Sequence, residues 1–253
     1  MKRFVIILMA LAVGLSVSAQ RGRYSKGRKP VRTTQRATPR QATTIRTCPD
    51  SNHPHAIDLG LPSGTKWACC NVGASRPTAY GDYYAWGEIA TKINYDWSTY
   101  KWGKADNQLT KYCNDPYYAK NRHADNKTTL DPEDDVAHVK WGGQWRMPTK
   151  EQMEELYNNT IDKWIENYKG TGVDGYLFTA INGKSIFLPA AGCRYGKSLI
   201  GAGFGGDYCS SSLYSSIPYD AYYLYFNSGY VGVYYILFNN DRCYGRTVRP
   251  VRP

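Results

Sequence analysis

"PTKEQMEELYNNTIDKWIENYKGTGVDGYLFTAINGKSIFL", residues 148–188, passes from a helical pattern to a strand pattern, and that switch sets the fold class. Thr149 is placed to cap a helix, and Gln152 three residues on completes a capping box. Met153, Leu156 and Tyr157 then give the i, i+3, i+4 apolar stripe of a helix with one face on a core. Trp164 marks a second amphipathic piece. Two strands follow, at 176–181 and 185–188, joined by Asn182-Gly183, the dipeptide that best supplies the two positive φ angles of a tight hairpin.

Strand signals continue on both sides of this stretch. "HAIDLGLPSGTKWACCNVG", 55–73, reads as strand, Pro-Ser-Gly turn, strand, with Ile57, Leu59, Trp67 and Val72 as apolar anchors. Residues 73–112 are aromatic and glycine-rich, which predicts long ordered loops around short strands. The carboxylates Asp131, Glu133, Asp134 and Asp135 are placed to cap a short helix carrying Val136 and Val139. A glycine-rich loop is expected over 191–206, then a hairpin in "AYYLYFNSGYVGVYYILFNN", 221–240, and a last strand in "RTVRPVRP", 246–253. Strands around one helical region at mid-chain predict an α+β fold.

The 253 residues carry a net charge of +11, but unevenly. Lys2 and Arg3 precede an apolar run, 4–17, that ends in Val17-Ser18-Ala19, the pattern of a cleaved secretory signal over 1–19. Residues 20–47 hold nine Lys or Arg, no acid and few large apolar side chains, which predicts a disordered basic linker. With the leader's two basic residues set aside as well, 21 basic and 21 acidic side chains remain in 48–253. That balance argues against a nucleic-acid partner. The basic segment offers cell-surface association through acidic polymers, or a plain linker. No later stretch has the length of a membrane span. The expected protein is exported, to the periplasm, the cell surface or the medium.

Seven cysteines, 48, 69, 70, 113, 193, 209 and 243, are compatible with disulfides in an exported chain, and the odd number leaves a thiol over. Adjacent Cys69 and Cys70 in a strand point to opposite faces. No zinc-type spacing is present.

Five blocks in order carry a family resemblance: "AIDLGLPSGTKWACCNVGA", "YGDYYAWGE", "DDVAHVKWGGQWRMPTKEQMEEL", "IFLPAAGCR" and "YGRTVRPV". Over roughly 53–252 the chain resembles the Fibrobacter succinogenes major paralogous domain, found in exported proteins of Bacteroidetes. That family is similar to proteins of the C-type-lectin-like fold, formylglycine-generating enzymes included. The resemblance implies one C-type-lectin-like domain over 48–253: a twisted antiparallel sheet, one or two helices and long loops. It does not itself imply an activity.

Some lectin-fold proteins of this kind are targets of diversity-generating retroelements, which randomise adenines, mostly in asparagine codons, of a C-terminal variable region. Residues 207–241 contain no Lys, Glu, Gln, Met or Trp, the residues such a codon cannot reach, and are crowded with Tyr, which it can. Tyrosine combines a large ring, a polar tip and little rotamer entropy, the properties of a recognition surface. The candidate ligand-binding residues are therefore Tyr208, Tyr214, Tyr219, Asp220, Tyr222, Tyr223, Tyr225, Tyr230, Tyr234, Tyr235, Phe238, Asn240 and Tyr244, facing a protein or glycan ligand. The opposing expectation is that many of these rings pack on the sheet.

Other chemistries are weaker. The calcium-binding sugar motifs of C-type lectins do not occur, and the 131–135 carboxylates read as a solvated helix start before a calcium site. The resemblance to formylglycine-generating oxidases brings up Cys209 and Cys243, read as incidental or as a disulfide. The four histidines stand beside no hydrolase motif. "GAGFGG", 201–206, leads into no helix, so it is not a phosphate loop. Arg246, Arg249 and Arg252 are expected to pair with carboxylates of the body. No catalytic residue, metal or cofactor is expected, and the rival readings are an oxidase or a structural surface protein.

Overall fold

The computed structural model describes residues 54–234 and 241–253; the expected leader and basic linker, and Tyr235, Phe238 and Asn240, lie outside the described residues. Among the described residues, two α-helices and eleven strands form an α+β fold whose named strand pairs are all antiparallel.

The helix at mid-chain follows its sequence signals. α2 (Lys150–Asn158) starts at Thr149, whose Oγ1 accepts from the Gln152 amide, while the Gln152 side chain accepts from the Thr149 amide. Met153 and Leu156 are buried, but Tyr157 is exposed, so the stripe is narrower than its spacing predicts. The preceding helix, α1 (Val136–Trp141), is capped by Asp135, whose Oδ1 accepts from the amides of Ala137 and His138. Val136 is buried and Val139 exposed.

β1 (Ala56–Asp58) and β2 (Lys66–Ala68) pair across the Pro-Ser-Gly turn, and β11 (Val251–Arg252) adds to β2 from the far end of the chain. A second sheet has the order β3 (Thr160–Ile165), β4 (Gly175–Ala180), β5 (Ser185–Pro189). Trp164 therefore lies in a strand, not in a second amphipathic piece; its ring packs edge-on against Tyr176 and Phe226, a cross-sheet contact that local periodicity does not reveal. Asn182-Gly183 lies in the β4–β5 turn, but only Gly183, at φ 78°, takes a positive φ, and its amide donates to the Ala180 carbonyl, so the connection is longer than the two-residue hairpin expected and Ile181 falls in it, not in β4.

The loop expected over 191–206 instead contains the hairpin β6 (Cys193–Tyr195) and β7 (Ser198–Ile200). β8 (Gly205–Leu213) begins inside the last two residues of that expected loop and pairs with β9 (Ala221–Asn227), and β9 pairs with β10 (Tyr230–Tyr234). The glycines explain the miss. Gly206 lies under the Phe226 ring, so a strand position is kept free of a side chain to admit an aromatic.

One core joins these pieces. Trp67, Met153, Leu156, Phe178, Leu188, Tyr208, Leu224, Phe226 and Val251 meet in it, each contributing about 1.5–3 kcal/mol of transfer free energy as an upper figure. Residues 73–112 contain no named strand. Phenol and indole tips hold the backbone there instead. Tyr95 donates to the Tyr83 carbonyl, Tyr100 to that of Trp86, Tyr83 to that of Ala191, and Trp86 to that of Ser210, at 2.6–2.9 Å.

Candidate functional site

The register of the β8–β9–β10 sheet decides which tyrosines can meet a ligand. Side chains alternate along β9, so Tyr222, Leu224 and Phe226 share one face and Tyr223, Tyr225 and Asn227 the other. Leu224 and Phe226 enter the core, where Tyr208, opposite Leu224, is 0% exposed and donates to the Pro189 carbonyl. Burial pushes the Tyr208 phenol up to about 12. On the other face Tyr223 is 2% exposed, with the Arg246 guanidinium 4.6 Å from its ring centre. Tyr244 is buried against Tyr195, and Asp220 is buried too. Four of the candidate residues are thus interior.

The remaining described candidates separate into two sets. Tyr225 and Tyr230 lie at the Asn227 end of the sheet, where Asn227 donates to the Tyr225 hydroxyl. Tyr214, Tyr219 and Tyr222 gather around the turn between β8 and β9, all half-buried. That turn closes on itself: the Tyr214 amide donates to the Asp220 carbonyl, and the Ile217 amide to that of Tyr214. Tyr214 and Tyr222 meet edge to face at 5.4 Å, with Lys150 Nζ 4.9 Å from the Tyr222 ring centre. Tyr219 meets Tyr118 at 5.5 Å, and Tyr118 meets Tyr117 at 4.9 Å, both edge to face. Tyr117 is 62% exposed. Five rings therefore rim one turn. Tyr117 and Tyr118 carry an aromatic signal of their own in the Pro-Tyr-Tyr of 116–118, but it lies 90 residues upstream of Asp207 and outside the tyrosine-rich C-terminal segment. The Tyr234 side chain, Tyr235, Phe238 and Asn240 lie outside the described residues.

Buried charge supports this rim from below. Asp220 and Asp241 face each other across an antiparallel bridge. Asp220 Oδ1 is shielded from water and accepts no hydrogen bond from the described residues, while Asp241 accepts from the Trp97 indole at 2.8 Å. Burial first and then the Asp241 charge push the Asp220 carboxyl up to about 7, against the pull of Arg246 and Arg242. Arg242 fastens the turn to the 111–112 loop, donating to the carbonyls of Lys111, Tyr112 and Pro218 at 2.7–3.0 Å. Arg249 donates to Asn71 Oδ1 and to the carbonyls of Ala68 and Phe187. A guanidinium's five fixed donors can serve several acceptors at once.

The 131–134 carboxylates surround a lysine. Lys111 Nζ lies 2.7 Å from Asp131, 2.6 Å from Asp134 and 3.8 Å from Glu133. Asp134 also accepts from Tyr112 at 2.7 Å and is buried, so this is an ion-paired knot and not the solvated helix start expected. The hydrogen bonds of Lys111 and Lys127 hold Asp131 down at about 2.

Cys113, Cys193, Cys209 and Cys243 are free thiols, so the disulfide considered for Cys209 and Cys243 does not form. Burial pushes Cys193 and Cys209 up to about 11, and Cys243 higher than its ordinary value. Thiol reactivity runs through the thiolate, which these surroundings disfavour.

Among the described residues no helix is long and apolar enough to cross a membrane. Compared with protein-family models, with curated proteins and with solved structures, the chain finds no match.

Proposed function

We propose that the chain is an exported, non-enzymatic binding module with a C-type-lectin-like domain, and that the tyrosine rim around the 214–220 turn receives a protein or glycan ligand. The observation that carries this reading is the joining of Tyr117, Tyr118, Tyr219, Tyr214 and Tyr222 about one turn with their rings partly open to solvent. Such rings bury apolar area on contact while their hydroxyls keep hydrogen-bonding capacity, and they lose little rotamer entropy. The Arg242 contacts and the buried ion-paired knot support the rim on a fixed base, which lowers the ordering cost of binding. The absence of Lys, Glu, Gln, Met and Trp from 207–241 agrees with a retroelement-diversified region. The sequence blocks resembling the Fibrobacter succinogenes major paralogous domain agree with a rigid lectin-like frame, and the basic linker with attachment at a cell surface.

The test is array binding by the full chain, on glycans and on surface proteins, against a variant with Tyr117, Tyr214, Tyr219 and Tyr222 changed to serine. Binding that falls at least about tenfold in the variant, with its unfolding midpoint retained, supports the reading. Equal binding by the variant refutes it. A near-copy of the 207–241 coding segment beside a reverse transcriptase, differing only at adenines, is the expected genomic companion.

A further inference from the structure

The two ends of the tyrosine rim differ in charge. At one end Lys150 Nζ stands 4.9 Å from the Tyr222 ring centre, but it also lies 3.4 Å from Glu154, and the field of Glu151 reaches the same phenol. In the middle Asp106 acts on Tyr219. At the other end the Arg122 guanidinium lies 5.5 Å from the Tyr117 ring centre, and Arg122, Lys120 and Tyr117 are all exposed. No ion pair among the described residues includes Lys120 or Arg122. The acids closest to them in sequence are engaged by backbone amides. Asp115 accepts from Tyr117, and Asp125 from Tyr112, Cys113 and Lys127.

The backbone that presents Arg122 is strained. Asn121 and Arg122 are consecutive left-handed residues, at φ 57° and 59°, a conformation that a Cβ disfavours and that persists where the surroundings impose it. The Arg122 amide is tied to the Ala119 carbonyl at 3.1 Å and the His123 amide to that of Lys120 at 3.3 Å. A guanidinium held on an open ring offers a carboxylate two charge-assisted hydrogen bonds beside an apolar face. A second observation points to the same sign of ligand. Residues 20–47 carry nine Lys or Arg and no acid, while 48–253 is balanced. A glycan whose carboxylates repeat along its chain supplies charge to both places, which a folded protein surface of mixed signs does not.

We propose that the ligand of the rim is an acidic glycan, read at the Tyr117 end, with a uronate carboxylate on the Arg122 guanidinium and its sugar rings on the neighbouring tyrosines. This rests on the rim as the contact face. The full chain is titrated with oligosaccharides of galacturonate, alginate and hyaluronate, each beside its carboxyl-reduced counterpart, which keeps the linkage and loses the charge. At least one uronate series is expected to bind, and its reduced counterpart to bind at least about tenfold more weakly. Arg122→Gln is expected to lose most of that preference and Arg122→Lys, which keeps the charge without the fork, to retain part of it, both with the unfolding midpoint of the parent. The basic segment is intact in each variant, so uronate binding unchanged in Arg122→Gln overturns the proposal. Equal binding of native and reduced oligosaccharides, or no uronate binding at about 1 mM, overturns it too. A neutral glycan or a protein whose binding falls in the four-tyrosine variant but not in Arg122→Gln overturns it and leaves the rim standing. Uronate binding indifferent to the four-tyrosine variant overturns both.

Discussion

Replacing Asp220 by asparagine is expected to stabilise the protein at alkaline pH and to do little in acid. Asp220 is 6% exposed, lies across a bridge from Asp241, and its Oδ1 meets no donor of the described residues. Its pKa rises from 3.8 to about 7 on folding, with burial the larger cause and Asp241 the second. Between these values the folded chain holds a proton that the unfolded chain has released. The contribution to stability is therefore complete below about pH 4 and is lost as the pH climbs through 7. About three pH units at about 1.36 kcal/mol each set an upper figure of about 4 kcal/mol for the ionised carboxylate above pH 7. Asparagine keeps a polar side chain in the same cavity, so we expect about half of that, ~2 kcal/mol, to be recovered. For a folded region of this size the unfolding midpoint at pH 8 should rise by about 4–8 °C. Calorimetry of both proteins at pH 4, 6 and 8 measures the difference directly. Asp241 is shifted in the same direction by burial, so some slope persists in the variant. The reasoning fails if Asp220→Asn is no more stable than the parent at pH 8, or if the difference between the two proteins is independent of pH.

Three further perturbations probe the frame. Lys111→Met leaves buried Asp134 short of one counter-charge and is expected to cost about 3 kcal/mol in urea titrations. Because Asp131 is held at about 2 by Lys111 and Lys127, its stabilisation is present above pH 3.8 and lost as pH falls through 2; that acid-limb slope should shrink in the same variant. Arg249→Lys cannot serve Asn71, Ala68 and Phe187 together, and leaving one or two carbonyls unpaired should cost about 1–3 kcal/mol each, read from the denaturation midpoint. Gly183→Ala places a Cβ at φ 78° in the β4–β5 turn and should cost about 1–2 kcal/mol, with strand content unchanged by circular dichroism.

Local chemistry made part of this fold legible. A capping box needs only Thr149 and Gln152 at the right spacing, and a turn between strands only Asn182-Gly183, so both elements could be read without their surroundings. Elements defined by distant partners could not. Trp164 has helix-compatible spacing, but Tyr176 and Phe226 fix it in a strand. β8 was obscured by the glycine that makes room for Phe226. At the candidate site, composition singled out the aromatic region but not the direction of each ring. Tyr222 and Tyr223 are neighbours in sequence, yet one lies beside Lys150 at the rim and the other beneath Arg246 in the interior. Arg242 gave no local signal, because its role rests on carbonyls 24 to 131 residues away.

Hydroxyl-radical footprinting of the full chain, with and without the ligand selected on the arrays, asks where contact is made. The account predicts protection at Tyr117, Tyr214, Tyr219 and Tyr222, no change at exposed Tyr157, and little oxidation of Tyr208 or Tyr223 in either state. Protection that spares the 214–222 rim, or heavy oxidation of Tyr208 and Tyr223 in the free protein, would contradict it.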